Sequence, residues 1–86
     1  MNQNEKVLRA LASRKRMDIV RLVLDRPLTV TDIAEKIKLS HKAASRHILV
    51  LAHADLLDRE RVGVYSYYRV SSDLPKLARS ILPHIT

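Results

Sequence analysis

The feature that most constrains the fold is a pair of helix-start signals that lie close together in the chain. Thr29 followed by Asp32 has the spacing of a capping box, and Ser40 is a residue type whose side-chain oxygen commonly caps a helix N-terminus. These signals predict helices over residues 30–37 and 41–54. Since only a short turn separates them, the two helices are expected to pack at an angle, as in helix-turn-helix units.

The helix predicted at 41–54 has an apolar seam and a polar front. Ala44, Ile48 and Leu51 recur at positions i, i+4 and i+7, which places them on one face and predicts that this face is buried. Four residues elsewhere on its first two turns are polar or basic: His41, Lys42, Ser45 and Arg46. His47 lies beside the seam, a position more typical of a packed, hydrogen-bonded histidine than of a surface contact.

Helical and strand periodicities predict the remaining elements. Apolar residues at helical spacing predict three further helices, over residues 4–12, 14–24 and 74–82, the last of them ended by Pro83. From 56 to 70 the pattern has period two, and the only glycine falls where a hairpin turn at Val62-Gly63 is expected. The chain is therefore expected to form one domain over residues 1–86, mainly α with a small β-hairpin (α+β).

The charge balance favours an anionic partner. Sixteen Lys and Arg against nine Asp and Glu give a formal net charge of +7, which concentrates polyanions such as nucleic acid around the protein. Since there is no cysteine, disulfides and thiolate nucleophiles are excluded. No apolar run approaches the roughly 18 residues of a membrane span, and no phosphate-binding glycine loop or nucleophile–base pair is recognisable. A soluble, cytoplasmic binding protein is expected rather than an enzyme.

Two groups of basic residues lie outside the helix at 41–54. The helix at 14–24 opens with Arg14, Lys15 and Arg16, although the positive end of a helix dipole favours acids. Either a solvated charged face or contact with a phosphate backbone accounts for them. In the hairpin, Arg59 and Arg61 project from the same face of a strand, from which they could contact a phosphate backbone or a minor groove.

The chain resembles the ArsR/SmtB-type winged-helix transcriptional regulators in three segments: LASRKRMDIVRLVL, LTVTDIAEKIKLSHKAASRHILVLAHADLL and RVGVYSYYRV. The most specific parts are the LS-x-x-x-x-SRHI-x-VL run and the Gly-x-x-x-Tyr-Tyr-Arg-Val ending of the hairpin. The resemblance implies a winged helix-turn-helix fold in the order helix, helix, short strand, helix, helix, two-stranded wing, helix. It also implies a sequence-specific repressor that binds double-stranded DNA as a homodimer. Such a protein is expected to be associated with the nucleoid.

The resemblance also assigns roles to residues. The helix at 41–54 would enter the major groove, and the hairpin at 56–70 would contact the adjacent backbone or minor groove. The expected DNA contacts are Ser40, His41, Lys42, Ser45, Arg46, Arg59, Arg61, Arg14 and Lys15. Ser40 is first of all a cap, and Arg46 could pair with a guanine or hold a phosphate.

A dimer would be joined by the first and last helices of each chain. The residues expected at this interface are Val7, Leu8, Leu11, Leu74, Leu77, Ala78 and Ile81. Packing within one chain is the alternative for the same residues. A domain this small buries only a modest core, which favours the dimer.

Three departures from the family pattern matter. The Cys-x-Cys pair that its metal sensors carry on the third helix is absent, since LTVTDIA has threonines there. The histidines at 41, 47 and 53 point in three directions around one helix, so no metal and no cofactor is expected. Leu49 stands where the resemblance implies a polar or basic side chain. This leucine either weakens the contact with DNA or makes an apolar contact instead.

Leu49 also motivates an alternative function, a winged-helix module for protein–protein or RNA interaction. The sequence identifies no effector ligand, no operator and no membrane partner.

Overall fold

The computed structural model describes residues 1–86 and contains five helices and a three-stranded antiparallel sheet. In chain order the elements are α1 (Gln3–Leu11), α2 (Arg14–Asp25), β1 (Leu28–Thr29), α3 (Val30–Ile37), α4 (His41–His53), β2 (Leu57–Val62), β3 (Tyr65–Val70) and α5 (Lys76–Ile85). The strand order is β1-β3-β2. This is the predicted winged helix-turn-helix order, including the short strand before the third helix. None of the helices is long and apolar enough to span a membrane.

Local capping sets the turn between α3 and α4. The side-chain oxygens of Thr29 and Ser40 each accept a hydrogen bond from the backbone N–H three residues further on, at 3.1 Å in both cases. Lys38 closes α3 in the left-handed conformation, at φ 57°, and the Leu39 N–H donates to the Ala34 carbonyl at 3.0 Å. The chain therefore turns sharply without a glycine, because Lys38 itself adopts the left-handed conformation that often ends a helix.

One aliphatic core lies between the helices and one face of the sheet. Its largest fully buried side chains come from four helices and from the residue before β2: Val7, Ile19, Val20, Ile33, Ile48, Leu51 and Leu56. The predicted seam of α4 belongs to this interior, since Ala44, Ile48 and Leu51 are at most 1% exposed. Burial of the seam determines which side of α4 faces solvent.

The wing is the hairpin formed by β2 and β3. Val62 pairs with Tyr65, so Gly63 and Val64 form the turn. The turn lies one residue later than the predicted Val62-Gly63, because Val62 still belongs to the ladder. Gly63 has φ 62°, and a glycine at the first position of a two-residue hairpin turn adopts this conformation without strain.

The last helix departs from its predicted bounds. It covers Lys76–Ile85 rather than 74–82, and Pro83 lies inside it. The prediction that Pro83 ends the helix is wrong, although proline removes one backbone donor there. The end of α5 is held by a contact from elsewhere in the chain, because Arg21 Nε donates to the Ile85 carbonyl at 2.6 Å. Ile85 also packs against the core, so the turn after the proline is retained.

Candidate nucleic-acid interface

An exposed stripe runs along α4 on the side opposite its buried seam. Lys42, Arg46 and Leu49 are spaced at i, i+4 and i+7 and are all exposed, and His53 continues the line one turn further on. We call these four residues the α4 stripe. Since the seam anchors α4 on the core, the stripe is held outward on a rigid element. It presents two cations and one large apolar side chain to a partner.

The N-terminus of α4 is favourable to anions. Ser40 and His41 are exposed, and the first turn of α4 contains no acidic residue. The free N–H groups and the helix dipole at such an end attract a phosphate. The predicted cap role of Ser40 is confirmed, and its hydroxyl hydrogen remains available to a second partner. Ser45 lies beside the α4 stripe and is partly buried.

The wing tip lies next to the start of α4. A shallow hollow is lined by residues from the wing, from α4 and from the start of α3: Thr29, Val30, Thr31, His41, Val64, Tyr65 and Ser66. On β2, Arg59 and Arg61 are exposed and pair with Tyr68 and Ser66 of β3. Directly paired residues share a face of the sheet, and Tyr68 packs against the core. The two arginines therefore lie on the helix-facing side of the wing.

The cations at the start of α2 do not form one surface. Arg14 is exposed, whereas Lys15 Nζ donates to the Ile37 carbonyl at the end of α3, at 3.4 Å. Arg16 is partly buried and faces the end of α1. A solvated face does not describe Arg16, because each of its three guanidinium nitrogens contacts an acceptor within the chain.

Arg16 ties α1, α2 and α4 together. Its Nε donates to the Ala10 carbonyl at 2.7 Å, its Nη2 to the Arg9 carbonyl at 3.2 Å, and its Nη1 contacts His47 Nδ1 at 3.1 Å. A guanidinium can only donate, so His47 Nδ1 accepts and the ring proton lies on Nε2. The first two contacts give hydrogen-bond donors to carbonyls at the end of α1. The third contacts α4 beside its buried seam.

Sequence reasoning missed this role of Arg16. The available signal was the position of the three cations directly after the end of α1, where positive charge is favourable to the free carbonyls of the preceding helix. His53 was also missed as a member of the exposed stripe, although its spacing from Lys42 and Leu49 places it there.

The surroundings of His47 lower its pKa below the usual value of about 6.5. Burial is the largest cause, followed by the positive charges of Arg16 and then of Lys15. The neutral ring is the form that can accept from Arg16. The expectation that His47 is a packed, hydrogen-bonded residue is confirmed.

Acidification is expected to destabilise the protein through His47. The unfolded chain takes up a proton at this residue near pH 6.5, whereas the folded chain takes it up only at lower pH. The contribution to the free energy of unfolding is therefore complete above about pH 6.5 and declines as the pH falls toward the folded pKa. Urea denaturation at neutral pH and at about pH 5 measures this difference.

Two variants distinguish the contribution of His47 to the acid-induced loss of stability from that of other titrating groups. His47→Gln cannot ionise, so its stability should fall less between the two pH values than that of the wild type. His84→Gln, at an exposed position near the end of α5, is the matched control and should keep the wild-type difference. Equal falls in the wild type and in His47→Gln would contradict the assignment.

The three histidines of α4 lie in different surroundings. His41 lines the hollow beside the wing, His47 contacts Arg16, and His53 belongs to the α4 stripe. The structure contains no group of three or more His, Asp or Glu side chains that could hold a metal ion.

The residues expected at a dimer interface divide into two groups. Three are buried in the core of the chain itself: Val7 at 0%, Ala78 at 0% and Leu11 at 7% exposure. The chain itself covers these three side chains, which leaves them little or no surface for a partner. The other four keep exposed area: Leu8 is 54% exposed, and Leu74, Leu77 and Ile81 are partly buried. An apolar surface therefore remains on α1 and around α5.

Comparisons with known sequences agree with this geometry. A family model described as a helix-turn-helix domain matches residues 11–60. The arsenical resistance operon repressor of Bacillus subtilis is 30% identical over 74 residues, which are 85% of this chain and 70% of that protein. The transcriptional activator HlyU of Vibrio cholerae is 29% identical over 66 residues, which are 77% of this chain but only 61% of that protein.

A comparison of folds gives the same architecture. A homodimeric winged helix-turn-helix DNA-binding domain from Mycobacterium bovis, described as a possible ArsR-family transcriptional regulator, superimposes with a TM-score of 0.83 at 24% identity. The match covers 96% of this chain and 74% of that chain. All five helices and the wing therefore follow a known arrangement.

Proposed function

Because the chain belongs to the ArsR-type family of winged helix-turn-helix transcriptional regulators, we propose that it represses transcription by binding double-stranded DNA as a homodimer. Each chain acts as a single winged-helix domain. The protein acts in the cytoplasm, and it acts by binding DNA rather than by catalysis. α4 is the recognition helix and enters the major groove, while the wing lies on the adjacent backbone or minor groove. Repression requires only that the bound dimer cover DNA that a polymerase needs.

The observation that carries this proposal is the cationic α4 stripe opposite a buried seam. Lys42 and Arg46 are held outward by a helix whose other side is anchored in the core. An arginine in the major groove can donate two parallel hydrogen bonds to a guanine, and a lysine near the helix N-terminus can hold a phosphate. The net charge of +7 supplies the sequence-independent attraction to DNA.

The remaining expected contacts support this docking. Ser40, His41 and Ser45 lie at or near the α4 N-terminus, where a phosphate is favoured. Arg59 and Arg61 extend the positive surface along the wing. At the start of α2, Arg14 is the better phosphate contact, because the Lys15 ammonium already donates to the Ile37 carbonyl. These residues position the domain, and Arg46 of the α4 stripe supplies a base contact.

The dimer is proposed to form through the exposed parts of α1 and α5. Leu8, Leu74, Leu77 and Ile81 keep apolar area that the core does not cover. A two-fold axis through this surface would place two copies of α4 in successive major grooves, about 34–36 Å apart. The target is then expected to contain two related half-sites.

Ile81→Glu is expected to convert the dimer to a monomer, because it places a carboxylate in an apolar contact. Loss of the second half-site contact should lower the affinity for a two-half-site duplex by about 100-fold or more. Sedimentation velocity gives the mass, and titration of a labelled duplex gives the affinity. Leu49→Glu is the control: it should stay dimeric and lose only DNA binding. A dimeric Ile81→Glu protein would contradict this interface.

Selection of bound duplexes from a random DNA pool, followed by a size measurement of the complex, tests the function itself. We expect enrichment of a short sequence with two-fold symmetry and two chains per duplex. An RNA pool and a pull-down for protein partners, run in parallel, test the other uses of a winged helix. Enrichment of RNA alone, or no bound duplex at low salt, would overturn the proposal.

A further inference from the structure

Leu49 is the only exposed large apolar side chain on α4. It is 47% exposed and lies on the α4 stripe together with Lys42 and Arg46. A single exposed leucine is ordinary on a protein surface. Its position is informative, because Arg46 and Lys42, the two cations of the same stripe, precede it by one and two turns on the same rigid helix.

The charges beside Leu49 select its partner. An apolar protein surface that covered Leu49 would also remove Lys42 and Arg46 from water without pairing them, which is costly. Duplex DNA pairs both cations with phosphates or base acceptors and still leaves a place for an apolar side chain. On the floor of the major groove the apolar group is the C5 methyl of thymine.

We propose, on the basis of the DNA-binding function above, that Leu49 contacts the methyl group of a thymine and so specifies a T·A base pair in each half-site. Leu49 follows Arg46 by three residues, a rise of roughly 4.5 Å along the helix. Base pairs are stacked about 3.4 Å apart. The thymine therefore lies one or two base pairs from the base or phosphate that Arg46 contacts.

The test removes only the methyl group. In the duplex obtained by selection, each thymine is replaced in turn by deoxyuridine, which keeps every hydrogen-bonding group of the base. For the wild-type protein, replacement at one position in each half-site is expected to weaken binding about three- to fivefold, the effect of one buried methyl group. Replacement at other positions is expected to have no such effect.

Protein variants assign that effect to Leu49. Leu49→Ala should bind the thymine and deoxyuridine duplexes equally well at the critical position, whereas the wild type distinguishes them. Leu24→Ala is the matched control, because Leu24 is 45% exposed but lies on α2. It should keep the wild-type discrimination. Leu49→Lys should bind all duplexes more tightly and lose the discrimination, because it exchanges an apolar contact for a phosphate contact.

The outcomes separate this inference from the proposed function. Discrimination by the wild type and by Leu24→Ala that disappears in Leu49→Ala supports the thymine contact. The thymine contact is overturned if the wild type binds a selected duplex but no deoxyuridine replacement weakens that binding. It is also overturned if a replacement weakens binding equally in the wild type and in Leu49→Ala. In both cases the DNA-binding function stands. If the wild type binds no duplex at all, the function itself fails.

Discussion

Replacing Arg46 by alanine is expected to weaken binding to the selected duplex by about 1–3 kcal/mol per half-site, or roughly 5- to 150-fold for each of the two Arg46 side chains of the dimer. Arg46 is exposed in the middle of the α4 stripe, next to Lys42 and Leu49 in the helical lattice. If it donates two hydrogen bonds to a guanine, its loss removes both and leaves the base edge without its partner. Binding to a shuffled duplex should fall much less, so the preference between sequences also declines.

Arg46→Lys is the matched control for charge. Lysine keeps the positive charge but lacks the planar fork, so it should preserve nonspecific binding and lose part of the sequence preference. Fluorescence anisotropy with both duplexes measures these ratios. Equal losses of Arg46→Ala on selected and shuffled duplexes, with a salt dependence weaker by about one counterion per half-site, would show that Arg46 holds a phosphate instead.

Ile48→Ala is expected to lower the free energy of unfolding by about 2–5 kcal/mol. Ile48 is 1% exposed and belongs to the core cluster, so alanine leaves a cavity between α4 and the other helices. For a domain of this size, each kcal/mol corresponds to roughly 4–8 °C in the melting temperature. Urea denaturation and thermal unfolding by circular dichroism both measure the loss.

The neighbouring residue supplies the control for Ile48. Leu49→Ala removes a similar side chain one position away, but from the exposed stripe, and should change stability by no more than about 0.5 kcal/mol. Ile48→Val, which removes a single methylene, should cost about 0.5–1.5 kcal/mol. Similar losses for Ile48→Ala and Leu49→Ala would contradict the assignment of a buried and an exposed side of α4.

Much of the fold follows from local signals in the sequence. The bounds of α3 and the start of α4 could be predicted because Thr29 and Ser40 are caps whose partners lie within three residues. The seam of α4 follows from apolar spacing alone, since a helix repeats every 3.6 residues. The stripe opposite to it follows for the same reason.

Other features depend on contacts that the sequence does not display. α5 continues past Pro83, and its end is held by Arg21 of another helix. The contact between Arg16 and His47 could not be predicted, because it joins residues far apart in the chain. For the same reason the sequence could not decide whether Val7 and Ala78 pack within one chain or at a dimer interface: an apolar stripe shows that a face is buried but not whether the covering surface belongs to the same chain.

Sequence-specific contact of the α4 stripe with duplex DNA is tested most directly by one equilibrium titration. The wild-type protein is titrated with the selected duplex and with a shuffled duplex of the same composition, over a series of salt concentrations. The selected duplex should bind at least about 1,000-fold more tightly at physiological salt, and both affinities should fall linearly with salt on logarithmic axes. Equal affinities for the two duplexes would contradict sequence-specific recognition by α4.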